Sequence, residues 1–393
     1  MRILTVAPYP PSRDGIGDYA AALTGAMSAA GHEVRVVTPR FATAAPAEVI
    51  GALAGPREGG DVALRRVAAF APDVVHVQFA VAAFGTGVPA LLRFIAEVRA
   101  ATGAPVVVTA HEVTRDTAML RLPGRLLYRR LCAGAARVLV HTGAAARALV
   151  DEVGVDAARV AVVPHHRRPP PEPAVAPGEL RARHGLGDAR VLLAFGFVHV
   201  DKGLDDLVAA LAALRARRPD ALTGVRLVVA GTVRPRSGAF RAFEARDRLH
   251  LARVRRAIAR EGMGELVRFT GYVPEGEVAP WFGLAEALVL PYRRIEQSGV
   301  GSLAAALGVP VVASRAGGLA EDFGDPRWTH EPGDREGLAA AIERLLARSP
   351  AEAAGRPPRR AAGAGLDEVA RSILASYHAV TSAPTREPHA QPA

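Results

Sequence analysis

The sequence predicts an α/β protein made of two doubly wound parallel-sheet domains in series. Three observations carry that prediction. Short β-branched runs alternate with longer helical patterns through the first half, the alternation restarts in the second half, and a proline-dense segment lies between the two. Two such domains joined by a linker imply an interdomain cleft, with ligands at the carboxyl ends of the strands.

In the first half, Ile3–Ala7, Val34–Thr38, Val74–Val77, Val106–Ala110, Val138–His141 and Val160–Val163 read as strands. They are apolar almost throughout, as strands covered on both faces should be. Helical patterns fall at Gly17–Ala30, Val62–Phe70, Pro89–Ala101, Thr117–Ala133 and Ala144–Val153. Six prolines then lie between Pro164 and Pro177. Proline at that density continues neither a helix nor a central strand, so the linker belongs here. The pair His165-His166 inside it is set aside as a metal site. Neighbours in an extended chain face opposite ways, and no carboxylate follows closely.

In the second half the strands are Arg190–Phe195, Val225–Ala230, Leu266–Thr270, Ala287–Leu290 and Val309–Ala313. Helices are expected at Gly203–Arg217, Ala239–Arg260, Glu277–Leu284, Gly301–Leu307, Arg335–Ala347 and Leu366–Ala379. The domains therefore read as residues 1–164 and 179–348, with a linker at 165–178. Residues 349–382 form a connector and a last helix that packs back on the first domain, and 383–393 a disordered tail.

Composition narrows the function. The chain has 393 residues, a net charge of +10 and 49 Lys+Arg, of which Lys202 is the one lysine. Such a charge favours phosphorylated substrates, anionic membrane surfaces or polyanions. Aromatics are 5% and no nucleic-acid-binding signature accompanies the charge, so nucleic acid is the weaker partner. One cysteine, Cys132, excludes an intrachain disulfide framework and a multi-cysteine metal site. The opening run to Ala7 is too short for a signal peptide, and no apolar run reaches about 18 residues. These point to the cytoplasm. Arg121, Arg125, Arg129 and Arg130, interleaved with leucines, form a basic amphipathic stretch suited to peripheral contact at the inner face of an anionic membrane. An ordinary surface helix accounts for it as well.

Several loops carry candidate chemistry. Phe195 to Gly203 runs from a strand end through Gly196 and His199 to Lys202 and into a helix. That arrangement offers helix-terminal N–H groups and a cation to a phosphate. Asp14-Gly15-Ile16-Gly17-Asp18-Tyr19 likewise follows the first strand and opens a helix. It lacks the third glycine of a dinucleotide fingerprint. His111 lies where Val106–Ala110 ends, placed to bond a sugar hydroxyl or move a proton. In Pro291 to Gly301, the residues Ser298, Gly299 and Val300 would present successive N–H groups to a diphosphate, with Glu296 and Gln297 reaching hydroxyls. Gly317-Gly318, with Glu321, marks a further turn. The arginine-rich run 234–260 reads as a solvated helical face.

In series, these motifs resemble the retaining nucleotide-sugar glycosyltransferases of the family 4 type, with the GT-B architecture of two Rossmann-like domains. The resemblance covers residues 1 to 347. It implies that Gly15 and Gly17 lie near donor phosphate and acceptor, with Asp14, Asp18 and Tyr19 on the acceptor side. It also implies that His111 touches the transferred sugar. Gly196, His199, Lys202 and Gly203 would meet the diphosphate with Gln297, Ser298, Gly299 and Val300, and Tyr272 and Val273 would lie near the nucleobase. Lys202, His111 and Glu296 are the catalytic candidates. No cofactor and no metal are expected, and a nucleoside diphosphate sugar is the donor. The acceptor would be a small molecule, a glycan or a lipid-linked sugar.

The chain departs from the family pattern twice. Phe197 and His199 stand where the family carries arginine. Ile295 and Leu303 stand at the two glutamate positions, with Glu296 shifted by one from the first, so the segment resembles a divergent Gln-Ser-Gly-Val branch. The implied reaction is metal-independent sugar transfer to an acceptor hydroxyl with retained configuration. The missing glutamate motivates a rival, a non-catalytic nucleotide-sugar-binding scaffold.

Overall fold

A computed structural model describes residues 1–11, 15–40, 46–54, 60–166, 170–236, 241–348 and 364–382. The chain forms two compact units: Met1–His166 with Ala364–Ala393, and Arg167–Gly363.

Unit 1 is built on a seven-stranded sheet. Its strands are β1 (Arg2–Val6), β2 (Glu33–Arg40), β3 (Val49–Ala54), β4 (Val74–Phe79), β5 (Val106–Ala110), β6 (Arg137–Val140) and β7 (Val160–Val162). The order is β3-β2-β1-β4-β5-β6-β7 and every pairing is parallel. Valines dominate the central strands, and β4 and β5 are buried along their whole length. Helices on both sides bury those faces. One core gathers Leu91, Phe94, Tyr128 and Leu149, and a second gathers Tyr19, Leu23, Met27, Ile373 and Tyr377. The helix Leu366–Thr381 thus packs on Gly15–Ala29, far from it in sequence.

Three expectations change in this unit. The helix expected over 117–133 is two, Val113–Leu120 and Leu122–Ala133, because Arg121 adopts φ 53 and Pro123 opens the second. Edge strand β3 is added to the expected strands; Val49–Ala54 is half alanine and glycine and carries little β-propensity. Val81–Thr102 has the length and mean hydropathy (1.5) of a membrane span. A 3₁₀ turn at Gly85–Gly87 interrupts it, and Leu91, Phe94 and Val98 of its main part lie in the core.

Unit 2 holds a six-stranded parallel sheet: β8 (Arg190–Phe195), β9 (Val225–Ala230), β10 (Val267–Gly271), β11 (Ala285–Leu290), β12 (Val311–Ser314) and β13 (Thr329–His330). The order is β10-β9-β8-β11-β12-β13. From β8 the chain winds outward through β9 and β10, then returns to lay β11 on the other side of β8. β8 and β11 therefore flank the topological switch point, where α/β sheets open a crevice at the strands' carboxyl ends. The helices Leu204–Arg217 and Arg335–Leu346 pack on one face, with Leu207, Leu211, Leu214, Leu338 and Ile342 buried. Within the segment expected to be a linker, Ala174 N–H donates to Gly276 O at 2.8 Å, and the helix Pro177–Arg183 begins there.

Candidate active site

In unit 2, the loops that leave β8 and β11 meet at the switch point. β8 ends at Phe195, Gly196 turns the chain with φ 94, and a 3₁₀ turn at Val200–Lys202 precedes the helix Leu204–Arg217. Gly203 has φ 63, and a Cβ there would lie 1.9 Å from the carbonyl oxygen of Pro291. Only glycine permits that approach. Arg293 ties the loops together. Its N–H donates to Asp201 O at 2.7 Å, and its guanidinium pairs with Asp205 and Asp206, each at 2.7 Å.

Lys202 is thereby held over the Tyr292 ring, its Nζ 5.3 Å from the centroid. A shallow cavity is lined by Gly196, Phe197, His199, Lys202, Pro291 and Tyr292. The helix Gly299–Leu307 starts at the end of the β11 loop. Ser298 caps it, its Oγ accepting from Gly301 N–H at 3.0 Å. Gly299 and Val300, the first two helical residues, have N–H groups with no intrahelical acceptor by position, and beyond its chain neighbours and its own helix backbone no described atom lies within 4 Å of where a Gly299 Cβ would be. Glu296 is buried in the same loop and its carbonyl accepts from Gly318 N–H at 3.0 Å. Gln297 lies beside it, half-buried. Tyr272 and Val273 follow β10, with Tyr272 strongly exposed.

His199 stands among charges that the sequence hid. Arg246 Nη2 lies 3.1 Å from His199 Nε2, and the Asp201 N–H donates to His199 Nδ1 at 3.2 Å. Asp247, fully buried, pairs with Arg236 at 3.2 Å and lies 3.7 Å from Arg246. The Arg234 guanidinium lies 5.8 Å from the centroid of the Phe197 ring. Residues 234–236 and 241–260 are therefore more than a solvated helical face. Their amino-terminal part delivers Arg234, Arg236 and Arg246 to the loop that lacks the family's arginine. The signal was the spacing of Arg246 and His250 on one helix, which shows a common side only once that helix is placed against the helix Leu204–Arg217 and the turn Val200–Lys202.

In unit 1, His111 directly follows β5. Its Nε2–H donates to Gln78 Oε1 at 2.7 Å. Burial, and then the neighbouring His141, His165 and His76, hold its pKa well below the ordinary value, so the ring is neutral. Burial likewise lowers His141 to about 3. Gly17 is buried against Pro8, and Gly15 is exposed. Asp18 lies half-buried in the first turn of the same helix, and Asp14 lies outside the described residues.

Two expectations are corrected here. Tyr19, expected on the acceptor side, is 1% exposed. Its ring packs 4.8–5.5 Å from those of His111, His141, His165 and His166, because the helix after β1 turns this side chain inward. His165 and His166, expected to point apart, stack at 13° with centroids 5.1 Å apart. The chain leaves regular strand geometry after Val162, so the two-residue alternation no longer applies.

Residues 13–169 match the family described as Glycosyltransferase Family 4, and residues 189–348 match Glycosyl transferases group 1. The chain is 35% identical to D-inositol 3-phosphate glycosyltransferase 2 of Catenulispora acidiphila over 53% of this chain and 48% of that protein. It is 28% identical to the D-inositol 3-phosphate glycosyltransferase of Pseudarthrobacter chlorophenolicus over 96% of this chain and 94% of that one. With the GDP-mannose-dependent alpha-(1-6)-phosphatidylinositol monomannoside mannosyltransferase of Mycolicibacterium smegmatis it shares 30% identity over 54% and 48%. The chain thus spans about half the length of the first and third of these relatives. Among solved structures, the alpha,alpha-trehalose 6-phosphate synthase of Burkholderia multivorans superposes with a TM-score of 0.70 at 17% identity, covering 97% of both chains. Anabaena HepE in complex with UDP-glucose gives 0.66 at 16% identity, covering 96% and 100%. At such identities the likeness is one of fold. The two parallel-sheet units, the loops at the switch point of unit 2 and the two family matches, one to each unit, place this chain in the group 1 glycosyltransferases of GT-B architecture.

Proposed function

We propose that the protein transfers a sugar from a nucleoside diphosphate sugar to an acceptor hydroxyl with retention of configuration. The observation that carries this reading is Lys202, held by Gly203 and Arg293 beside the amino-terminal end of the helix Gly299–Leu307. A fixed cation and first-turn helix N–H groups at one crevice suit a diphosphate.

In the proposed step the bond between the anomeric carbon and the diphosphate oxygen breaks, and negative charge grows on the leaving phosphate. Lys202 and the Gly299 and Val300 N–H groups are preorganised to stabilise it. The acceptor oxygen attacks from the side the phosphate leaves, which retains configuration, and the leaving phosphate takes the hydroxyl proton. No protein nucleophile and no metal ion are needed. His111, neutral, is suited to hydrogen-bond the transferred sugar. The inositol-bearing substrates in the names of the relatives support a polyol acceptor, free or lipid-linked.

The experiment is a transfer assay with UDP-, GDP-, ADP- and dTDP-sugars against inositol phosphate and phosphatidylinositol acceptors. Replacing Lys202 by Ala should lower turnover by about 10²-fold or more. Wild-type turnover in that variant would refute the assignment. Donor binding without turnover on any acceptor would favour a scaffold. Transfer should persist in excess chelator, and complete loss restored by magnesium would defeat the metal-independent reading.

A further inference from the structure

β5, β6 and β7 are adjacent parallel strands, and each releases a histidine at its carboxyl end. His111 follows β5 directly and His141 follows β6 directly, while His165 comes three residues after β7. The register Thr109↔Leu139 and Val140↔Val162 sets these ends side by side. One ring nitrogen from each of the three histidines lies within 4.8 Å of the others.

Hydrogen bonds fix the tautomers. His111 Nε2 faces Gln78 Oε1 at 2.7 Å, His141 Nδ1 faces Val163 O at 2.9 Å, and His165 Nδ1 faces His166 O at 2.9 Å. Each acceptor is a carbonyl oxygen, so each of these ring nitrogens donates. That places the lone pairs on His111 Nδ1, His141 Nε2 and His165 Nε2. Imidazoles that ligate metals are oriented in the same way, by a carbonyl or carboxylate on the other ring nitrogen. A second observation points to an occupant: the Tyr19 ring packs against all three imidazoles, and its hydroxyl is buried with no hydrogen-bond partner among the described residues.

We propose that His111, His141 and His165 form a binding site for a borderline transition-metal ion of the Zn²⁺ class, with a fourth position open toward Tyr19. Three neutral imidazoles suit Zn²⁺, Cu²⁺ or Ni²⁺ and not Mg²⁺ or Ca²⁺. A tetrahedral ion with bonds of about 2.0–2.1 Å holds its nitrogens about 3.4 Å apart, so ring shifts of about 1 Å close the site. The ion occupies His111 and is inhibitory; that consequence, unlike the site itself, rests on the sugar-contact role given to His111 above.

The test begins with direct binding. Chelator-stripped protein is given ZnCl₂ and desalted, its metal content is measured, and affinity is read by competition with a chromophoric chelator. One Zn²⁺ per chain is expected. His141→Ala and His165→Asn should each weaken binding at least ~10-fold, and Gln78→Ala roughly 10-fold through the orientation of His111. MgCl₂ should not compete. Circular dichroism checks that the variants fold, and His165→Asn, at the rim, is the variant least disturbing to the core. Retention no greater than in a folded His141→Ala/His165→Asn double variant overturns the site. Stoichiometric Zn²⁺ should suppress transfer and a chelator restore it. Zn²⁺ bound without effect on transfer keeps the site and overturns the inhibitory link.

Discussion

The guanidinium of Arg246 reaches the imidazole of His199, Nη2 to Nε2 at 3.1 Å. A residue of the long helix Arg241–Arg260 thus supplies the positive charge that the loop after β8 lacks at Phe197 and His199. Arg246→Ala should weaken donor binding by roughly tenfold, the worth of about 1.5 kcal/mol for a charge-assisted contact. Arg260→Ala, at the exposed far end of the same helix, should leave it unchanged. Isothermal titration with the best donor checks this, and equal affinities for all three proteins would remove Arg246 from the site.

Gly203→Ala tests the joint between the two loops. The left-handed backbone alone costs a side chain about 1–3 kcal/mol, and the Pro291 carbonyl stands where the Cβ would go. The urea midpoint should fall accordingly, and turnover should drop with it as Lys202 loses its support. An unchanged midpoint would mean that the loops part easily.

Tyr377 anchors the last helix to unit 1 through the buried imidazole of His76, whose Nδ1 meets its hydroxyl. His76 Nε2 is engaged by Thr109 Oγ1 at 2.7 Å. Tyr377→Phe therefore leaves that buried ring nitrogen with only the longer contact from Gln78 Nε2, at 3.4 Å, at a cost of about 1–3 kcal/mol. Thermal unfolding of unit 1 should shift down, while donor binding stays as in wild type.

Asp116 gives a pH signature. Burial, with Glu112 nearby, pushes its carboxyl up to about 6, against the opposing hydrogen bonds from Val81 N–H and Tyr128 OH. The folded pKa lies above the unfolded one. The stabilising contribution is therefore full below about 3.8 and is lost as pH rises through about 6, an effect of about 3 kcal/mol. Asp116→Asn keeps both partners without the charge. It should raise the urea midpoint at pH 8 and not at pH 4; a gain of the same size at both would exclude this carboxyl as the cause.

Membrane contact is predicted at the helix Leu122–Ala133. Leu122 and Leu126 are 64% and 53% exposed, beside Arg121, Arg125 and Arg129. The protein should co-sediment with vesicles containing anionic lipid at low salt, and less so at high salt. Leu122→Asp/Leu126→Asp should abolish the binding. Indifference to anionic lipid would leave this an ordinary surface helix.

The two α/β units, most strand positions and the loops at strand ends that carry Gly196, Lys202, His111 and Ser298 were legible in the amino-acid pattern alone. Those features are local: β-branched runs, helix periodicity and glycines after strands depend on residues a few positions apart. Strand order was not local, and it decided the rest. Placing β8 beside β11 brought Lys202 to the amino-terminal end of Gly299–Leu307. Placing β5, β6 and β7 side by side gathered His111, His141 and His165, which are 54 residues apart from first to last. Packing turned Tyr19 inward, aimed Arg246 at His199 and carried Tyr377 to His76. Such contacts arise when buried faces and charges find partners across the fold, and the pattern along the chain contains no record of which partner that is.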